Sequence, residues 1–251
     1  MKVKRKKEKP ILARARRPVE AKADTPLKRI WRGFAERWRL VAAMVGALVI
    51  AGAAVGGYFW YRHDREDRAG RAYARITENA VKRAEDAFKK AGKEGRVDEK
   101  KLTAGTMKDL DAFTKKYENT DAGRAAAYEL AGLYFGQGNY KEARARFEAL
   151  EKTGKGLERI LSSKGVADCY RALGDYKKAI AKYREVYGQA GEKFPSVPTA
   201  MALAECYRHE GNTAEALKLY RHILDYHAGS PYAMEAATEY AKLEATAEAG
   251  R

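Results

Sequence analysis

The chain has 251 residues, of which 33% are charged, and a formal net charge of +16. That length holds one or two ordinary domains, and with only Cys169 and Cys206 a disulfide-stapled scaffold is excluded. The charge is uneven. Residues 1–39 hold 15 Lys/Arg against 4 Asp/Glu, residues 40–61 hold none of either, and the remainder is close to balanced, so the high pI belongs to a short tail and no specific nucleic-acid binder is implied.

Residues 1–26 show no hydrophobic periodicity and are expected to form a disordered basic tail, free to touch anionic lipid. Over residues 27–39, Leu27, Ile30, Trp31, Phe34 and Trp38 recur at helical spacing among Lys28, Arg29, Arg32, Arg37 and Arg39. That pattern predicts an amphipathic helix on the membrane surface or leading into a span.

Residues 40–61 read LVAAMVGALVIAGAAVGGYFWY, without one charge. As a helix this run is about 33 Å long, enough for a hydrocarbon core of about 30 Å. Trp31, Phe34 and Trp38 precede it, and Tyr58, Phe59, Trp60 and Tyr61 close it, as amphipathic rings do at both headgroup levels. The N-terminal flank is strongly basic, whereas residues 62–78 mix five Arg with four acids. The positive-inside rule then predicts a cytoplasmic N-terminus, with residues 62–251 across the membrane. A cleaved signal peptide, cut after Ala51-Gly52-Ala53, is the alternative reading; the 39-residue charged lead is far longer than a usual n-region. Neither cysteine lies near the apolar run, so it offers no acceptor for a lipid anchor. Gly52 and Gly56 form a GxxxG, a pattern that arises readily in so small-residue-rich a span.

Residues 62–122 are expected to form a helical lead and a degenerate hairpin. Tyr73, Ile76, Ala80, Ala84 and Ala87 mark one amphipathic helix over 70–91; Leu102, Met107, Leu110, Phe113 and Tyr117 mark another over 98–117. Beyond them the sequence repeats itself. Tyr134, Tyr170 and Tyr207 correspond, as do Gly138, Gly174 and Gly211, then Ala143, Ala179 and Ala216, then Phe147, Tyr183 and Tyr220, always offset by 36 and then 37 residues. Each unit reads as a first helix stopped by the glycine, a turn through Asn or Asp, and a second helix with a small Ala at one contact and an aromatic four residues on. One such hairpin cannot bury its apolar face alone, so neighbours must stack. Residues 229–251 complete the stack with a capping helix opened by Ser230-Pro231.

These residues resemble the tetratricopeptide repeat, whose period is about 34 residues. The resemblance covers residues 123–228 and implies an all-α chain: one transmembrane helix followed by an α-solenoid of three stacked hairpins. The extra residues fall in the loops around 153–156 and 188–195. The family's leading Trp is replaced by Ala127, Ser163 and Ala200, and Thr213 stands where Tyr140 and Tyr176 stand in the other units. The resemblance further implies that the first helix of each unit lines a concave groove for a partner protein or peptide. Tyr128 and Phe135 would line it in the first unit, Lys164, Asp168 and Arg171 in the second, and Met201, Glu205 and Arg208 in the third. Lys164 fits the family's grip on a peptide carboxylate, but Asp168 stands where an Asn would be needed and would repel such a ligand.

No catalytic constellation is visible. The four histidines, His63, His209, His222 and His227, form no zinc-binding spacing, and no phosphate-binding loop or nucleophile elbow occurs, so neither an enzyme nor a cofactor is expected. Cys169 and Cys206 fall at equivalent positions of successive units, about 9–10 Å apart on stacked helices, and are expected to be free thiols. The overall layout, together with residues 117–127 (YENTDAGRAAA), is similar to that of the ancillary Sec-translocon subunit family of bacterial inner membranes. That resemblance implies a periplasmic repeat domain that contacts the translocon and periplasmic chaperones. Residues 226–233 (YHAGSPYA) resemble instead a phrase of periplasmic adaptors in envelope or cell-wall assembly.

Overall fold

A computed structural model of the chain describes residues 25–92, 95, 97–190 and 196–249. The basic tail, up to residue 24, and the centre of the 188–195 loop lie outside the described residues. The chain divides into two compact units, residues 1–60 and 61–251. Among the described residues there are nine helices: α1 (Pro26–Ala91), α2 (Glu99–Tyr117), α3 (Asp121–Gly136), α4 (Tyr140–Thr153), α5 (Leu157–Ala172), α6 (Tyr176–Ala190), α7 (Ser196–His209), α8 (Thr213–Tyr226) and α9 (Ala233–Ala249).

In the first unit the backbone is the N-terminal part of α1, which runs without a break through residues 27–39 and 40–61. This is the one helix among the described residues that is long and apolar enough to cross a membrane, and none of its most apolar stretch is buried. Large apolar side chains such as Leu48, Val49, Ile50, Phe59 and Trp60 stand open on all sides, where a helix in a water-soluble fold would hide at least one stripe.

The second unit is a stack of antiparallel helix pairs. Its three repeat turns are built identically. The N–H of Gly138 donates to the Phe135 carbonyl and that of Asn139 to Tyr134; Gly174 and Asp175 do the same to Arg171 and Tyr170, and Gly211 and Asn212 to Arg208 and Tyr207. This is the paired closure that satisfies the last carbonyls of a helix through a left-handed residue. The three glycines have φ of 78°, 77° and 75°, a region that costs any residue with a Cβ about 1–2 kcal/mol. The periodic glycine is therefore a backbone requirement of the hairpin.

Packing follows from the same offset. Ala143, Ala179 and Ala216 are fully buried at the helix crossings, with Phe147, Tyr183 and Tyr220 behind them. Cys169 packs with Phe147 and Val166, and Cys206 with Tyr183 and Leu203, both as buried free thiols. The C-terminal part of α1 joins the stack through Ala69, Tyr73 and Ile76, which pack with Leu110 and Phe113 of α2 and Leu130 of α3. Polar contacts reinforce that seam. Glu66 accepts the Asp121 N–H at the start of α3 at 3.0 Å, Tyr73 donates to Glu129 at 2.6 Å, and Arg83 pairs with Asp109 at 2.6 Å. At the far end α9 begins at Ala233, after a turn in which the Ala233 N–H donates to the Ser230 carbonyl at 3.1 Å. Pro231 thus lies in the turn before the helix rather than in its first turn.

Candidate functional site

The helices α3, α5 and α7 are the first helices of the three units, and side chains at equivalent positions of α5 and α7 converge. Lys164, Asp168 and Arg171 of α5 and Met201, Glu205 and Arg208 of α7 line one concavity of about 400 Å³. The fixed offset explains this: residues one period apart share a helix face, and stacking brings those faces side by side.

Four of its charges are paired with one another. Lys164 donates to Asp168 at 2.8 Å one turn along α5, and Tyr183 of α6 donates to the other Asp168 oxygen at 2.5 Å. Arg171 reaches across to Glu205 at 2.7 Å, tying α5 to α7. Burial, reinforced by the negative Asp168, pushes the Tyr183 phenol far above its ordinary range, so the hydroxyl is a permanent donor. Burial likewise raises Tyr220, to about 12, with Glu239 adding and Arg208 opposing. With Lys164 turned onto Asp168, the pair is not arranged to grip a free carboxylate. The surface combines oriented charges with the apolar edges of Pro198, Met201 and Tyr232, a mixture suited to a polypeptide segment.

Tyr128 and Phe135, expected in the same groove, lie outside this concavity. Tyr128 rests edge-on against Phe147 with centroids 5.3 Å apart, and Phe135 against Tyr140 at 5.1 Å. Both contacts are within their own hairpin; Tyr128 remains 37% exposed and burial raises its phenol. Sequence reasoning missed the opposite wall. Tyr232 precedes α9, and Glu235 and Glu239 on α9 complete the lining. The repeat signature offers no signal for this wall: Glu244 and Glu248 stand 37 residues after Tyr207 and Gly211.

Among the described residues no group of three or more His, Cys, Asp or Glu is placed to hold a metal ion. Burial raises both thiols, Cys169 and Cys206, to about 12, which leaves them protonated at neutral pH.

Residues 123–190 match one family model and residues 170–238 a second, each described as tetratricopeptide repeat. Among solved structures, a putative kinesin light chain of Podosopora anserina with nearly identical TPR-like repeats is similar, with a TM-score of 0.52 and 20% identity, covering 61% of this chain and 82% of that one. A single-substitution form of the same protein gives the same figures. A tetratricopeptide repeat protein of Parabacteroides merdae matches with a TM-score of 0.52 and 18% identity, covering 70% of this chain and 61% of that one, so the chain spans about three fifths of that relative's length. At such identities these likenesses speak to fold alone. No curated protein matches the sequence.

Proposed function

We propose that this chain, a carrier of tetratricopeptide repeats over residues 123–238, is a non-enzymatic scaffold. In this reading residues 40–61 anchor it in a bacterial inner membrane, and its concave groove presents a docking surface to partner proteins on the periplasmic face. The observation that carries the reading is the convergence of Lys164, Asp168, Arg171, Met201, Glu205 and Arg208 on one concavity of a repeat scaffold. Such scaffolds bind other proteins or peptides, and neither matching model describes a catalytic family. The charge-free run of residues 40–61 behind a tail with 15 Lys/Arg supports the anchor and its orientation. The resemblance in layout to the ancillary Sec-translocon subunit family supports a role in handling secreted proteins near the translocon.

The test is crosslinking in native membranes followed by affinity capture and mass spectrometry, comparing the native chain with a variant carrying Arg171→Ala, Met201→Ala and Arg208→Ala, three residues that line the concavity. Recovery of translocon subunits or periplasmic chaperones with the native chain, lost in the variant while circular dichroism shows its helicity intact, is the expected result. Recovery of cell-wall or outer-membrane assembly factors instead would favour the envelope-adaptor reading suggested by residues 226–233. An identical partner set from the helical variant would remove the groove from the proposal.

A further inference from the structure

A cavity larger than the concave groove lies between α2, α3 and α4. It measures about 780 Å³, and no part of the proposed docking surface lines it. Five cations reach it: Arg62, Lys115, Arg124, Arg146 and Lys155, against Glu118 and Glu158. Arg124 pairs with Glu158 at 2.9 Å and also with Asp121. Arg146 and Lys115 share a single carboxylate, Asp111, at 3.1 and 2.6 Å. Arg62 and Lys155 have no acidic partner among the described residues, although they enter the same cavity from elements far apart in sequence. Thr114, Thr153 and the amide of Asn119 add neutral polar groups to the wall. The hydroxyls of Thr114 and Thr153 donate to the Asp111 and Ala149 carbonyls and the Asn119 amide to Glu118, so it is the two unpaired cations, with two more that divide one carboxylate, that describe a place for one anionic group.

Position selects the kind of anion. Arg62 is the first residue after the charge-free run, about 1.5 Å along the helix beyond Tyr61. The headgroup layer on each side of a hydrocarbon core is about 5–7 Å deep. If residues 40–61 span the bilayer, Arg62 therefore lies within the headgroup layer, where long cationic side chains meet lipid phosphates.

We propose that this cavity binds the phosphate headgroup of an anionic phospholipid from the membrane that holds residues 40–61, with Arg62 and Lys155 as its principal contacts. The proposal rests on the membrane-anchor reading. A headgroup held there would fix the repeat unit to the bilayer surface at a second point.

The full chain is to be placed in nanodiscs of phosphatidylcholine alone, or of equimolar phosphatidylcholine and phosphatidylglycerol, and amide hydrogen exchange followed over residues 114–119 and 153–158. Exchange there is expected to slow about fivefold or more with phosphatidylglycerol, the factor one juxtamembrane cation contributes at an anionic surface, and the slowing is expected to vanish in R62A/K155A with its helicity unchanged. Equal exchange in both lipids overturns the proposal, as does slowing that survives in the double variant. Inorganic phosphate or a polyglutamate peptide producing the same slowing in phosphatidylcholine discs overturns the lipid assignment. Alkaline extraction of native membranes separates the two readings: a chain that stays in the pellet but shows no lipid dependence disproves the headgroup site alone, whereas release into the supernatant disproves the anchor and the site with it.

Discussion

Gly165 offers the sharpest test of how the hairpins stack. It is buried in the middle of α5, and a Cβ built there would meet the ring of Phe147, on α4, at 2.8 Å. Replacing Gly by Ala inside a helix ordinarily stabilises by about 1 kcal/mol. Here the added methyl must displace a ring that is itself buried and held edge-on by Tyr128. Overpacking of that kind costs about 1–3 kcal/mol, so Gly165→Ala should be neutral or destabilising by up to about 2 kcal/mol. In a Phe147→Ala background, which removes the Cγ and Cδ atoms that the methyl would meet, only the helix preference remains, so the same substitution should stabilise by about 1 kcal/mol relative to that background. Thermal unfolding of the full chain in detergent, followed by far-UV circular dichroism, resolves this, because 1 kcal/mol moves the midpoint of a domain this size by about 2–4 °C. The informative outcome is the change of sign between backgrounds. If Gly165→Ala raises the midpoint equally in both, the helix pair does not approach as closely as the packing requires.

Three further outcomes rest on the same geometry. Gly174→Ala, at φ 77°, should lower stability by about 1–2 kcal/mol, whereas Gly188→Ala, inside α6 with nothing near its Cβ position, should be neutral or stabilising; both are read from the same melts. Tyr183→Phe removes the hydrogen bond to Asp168 and should cost about 2 kcal/mol, the scale of a bond to an ionised acceptor. Cys169 and Cys206 ionise near 9 when unfolded and near 12 when folded, because burial opposes the thiolate. The unfolded chain thus loses protons first as pH rises, and stability should fall between about pH 9 and 12. Maleimide should label neither thiol at neutral pH until denaturant is added.

The repeat architecture was legible because its determinants are local. A left-handed glycine, a small residue at a crossing and an aromatic four positions later recur at one offset, and each is demanded by backbone or packing geometry within a single hairpin. The meeting of side chains from neighbouring units was legible where the offset alone decides the facing, as for Arg171 and Glu205. The place of Tyr128 and Phe135 was not legible, because an offset identifies a helix face but not the aromatic neighbour that captures the ring. Phe147 and Tyr140 do so here. The α9 wall was overlooked because its Tyr-Gly-Ala-aromatic signature is missing: Glu244 and Glu248 stand where a fourth Tyr and Gly would fall. The contacts of Glu66 and Tyr73 join residues more than fifty positions apart and depend on where the stack places α1, which no local pattern encodes.

Photo-crosslinking from single sites in native membranes addresses the proposed scaffold role most directly. A benzoylphenylalanine at Arg208, on the rim of the concavity, should yield discrete adducts with a partner protein, while the same probe at Arg184, exposed on α6 away from it, should yield none. Indistinguishable adduct patterns from the two positions would contradict a partner held in the concave groove.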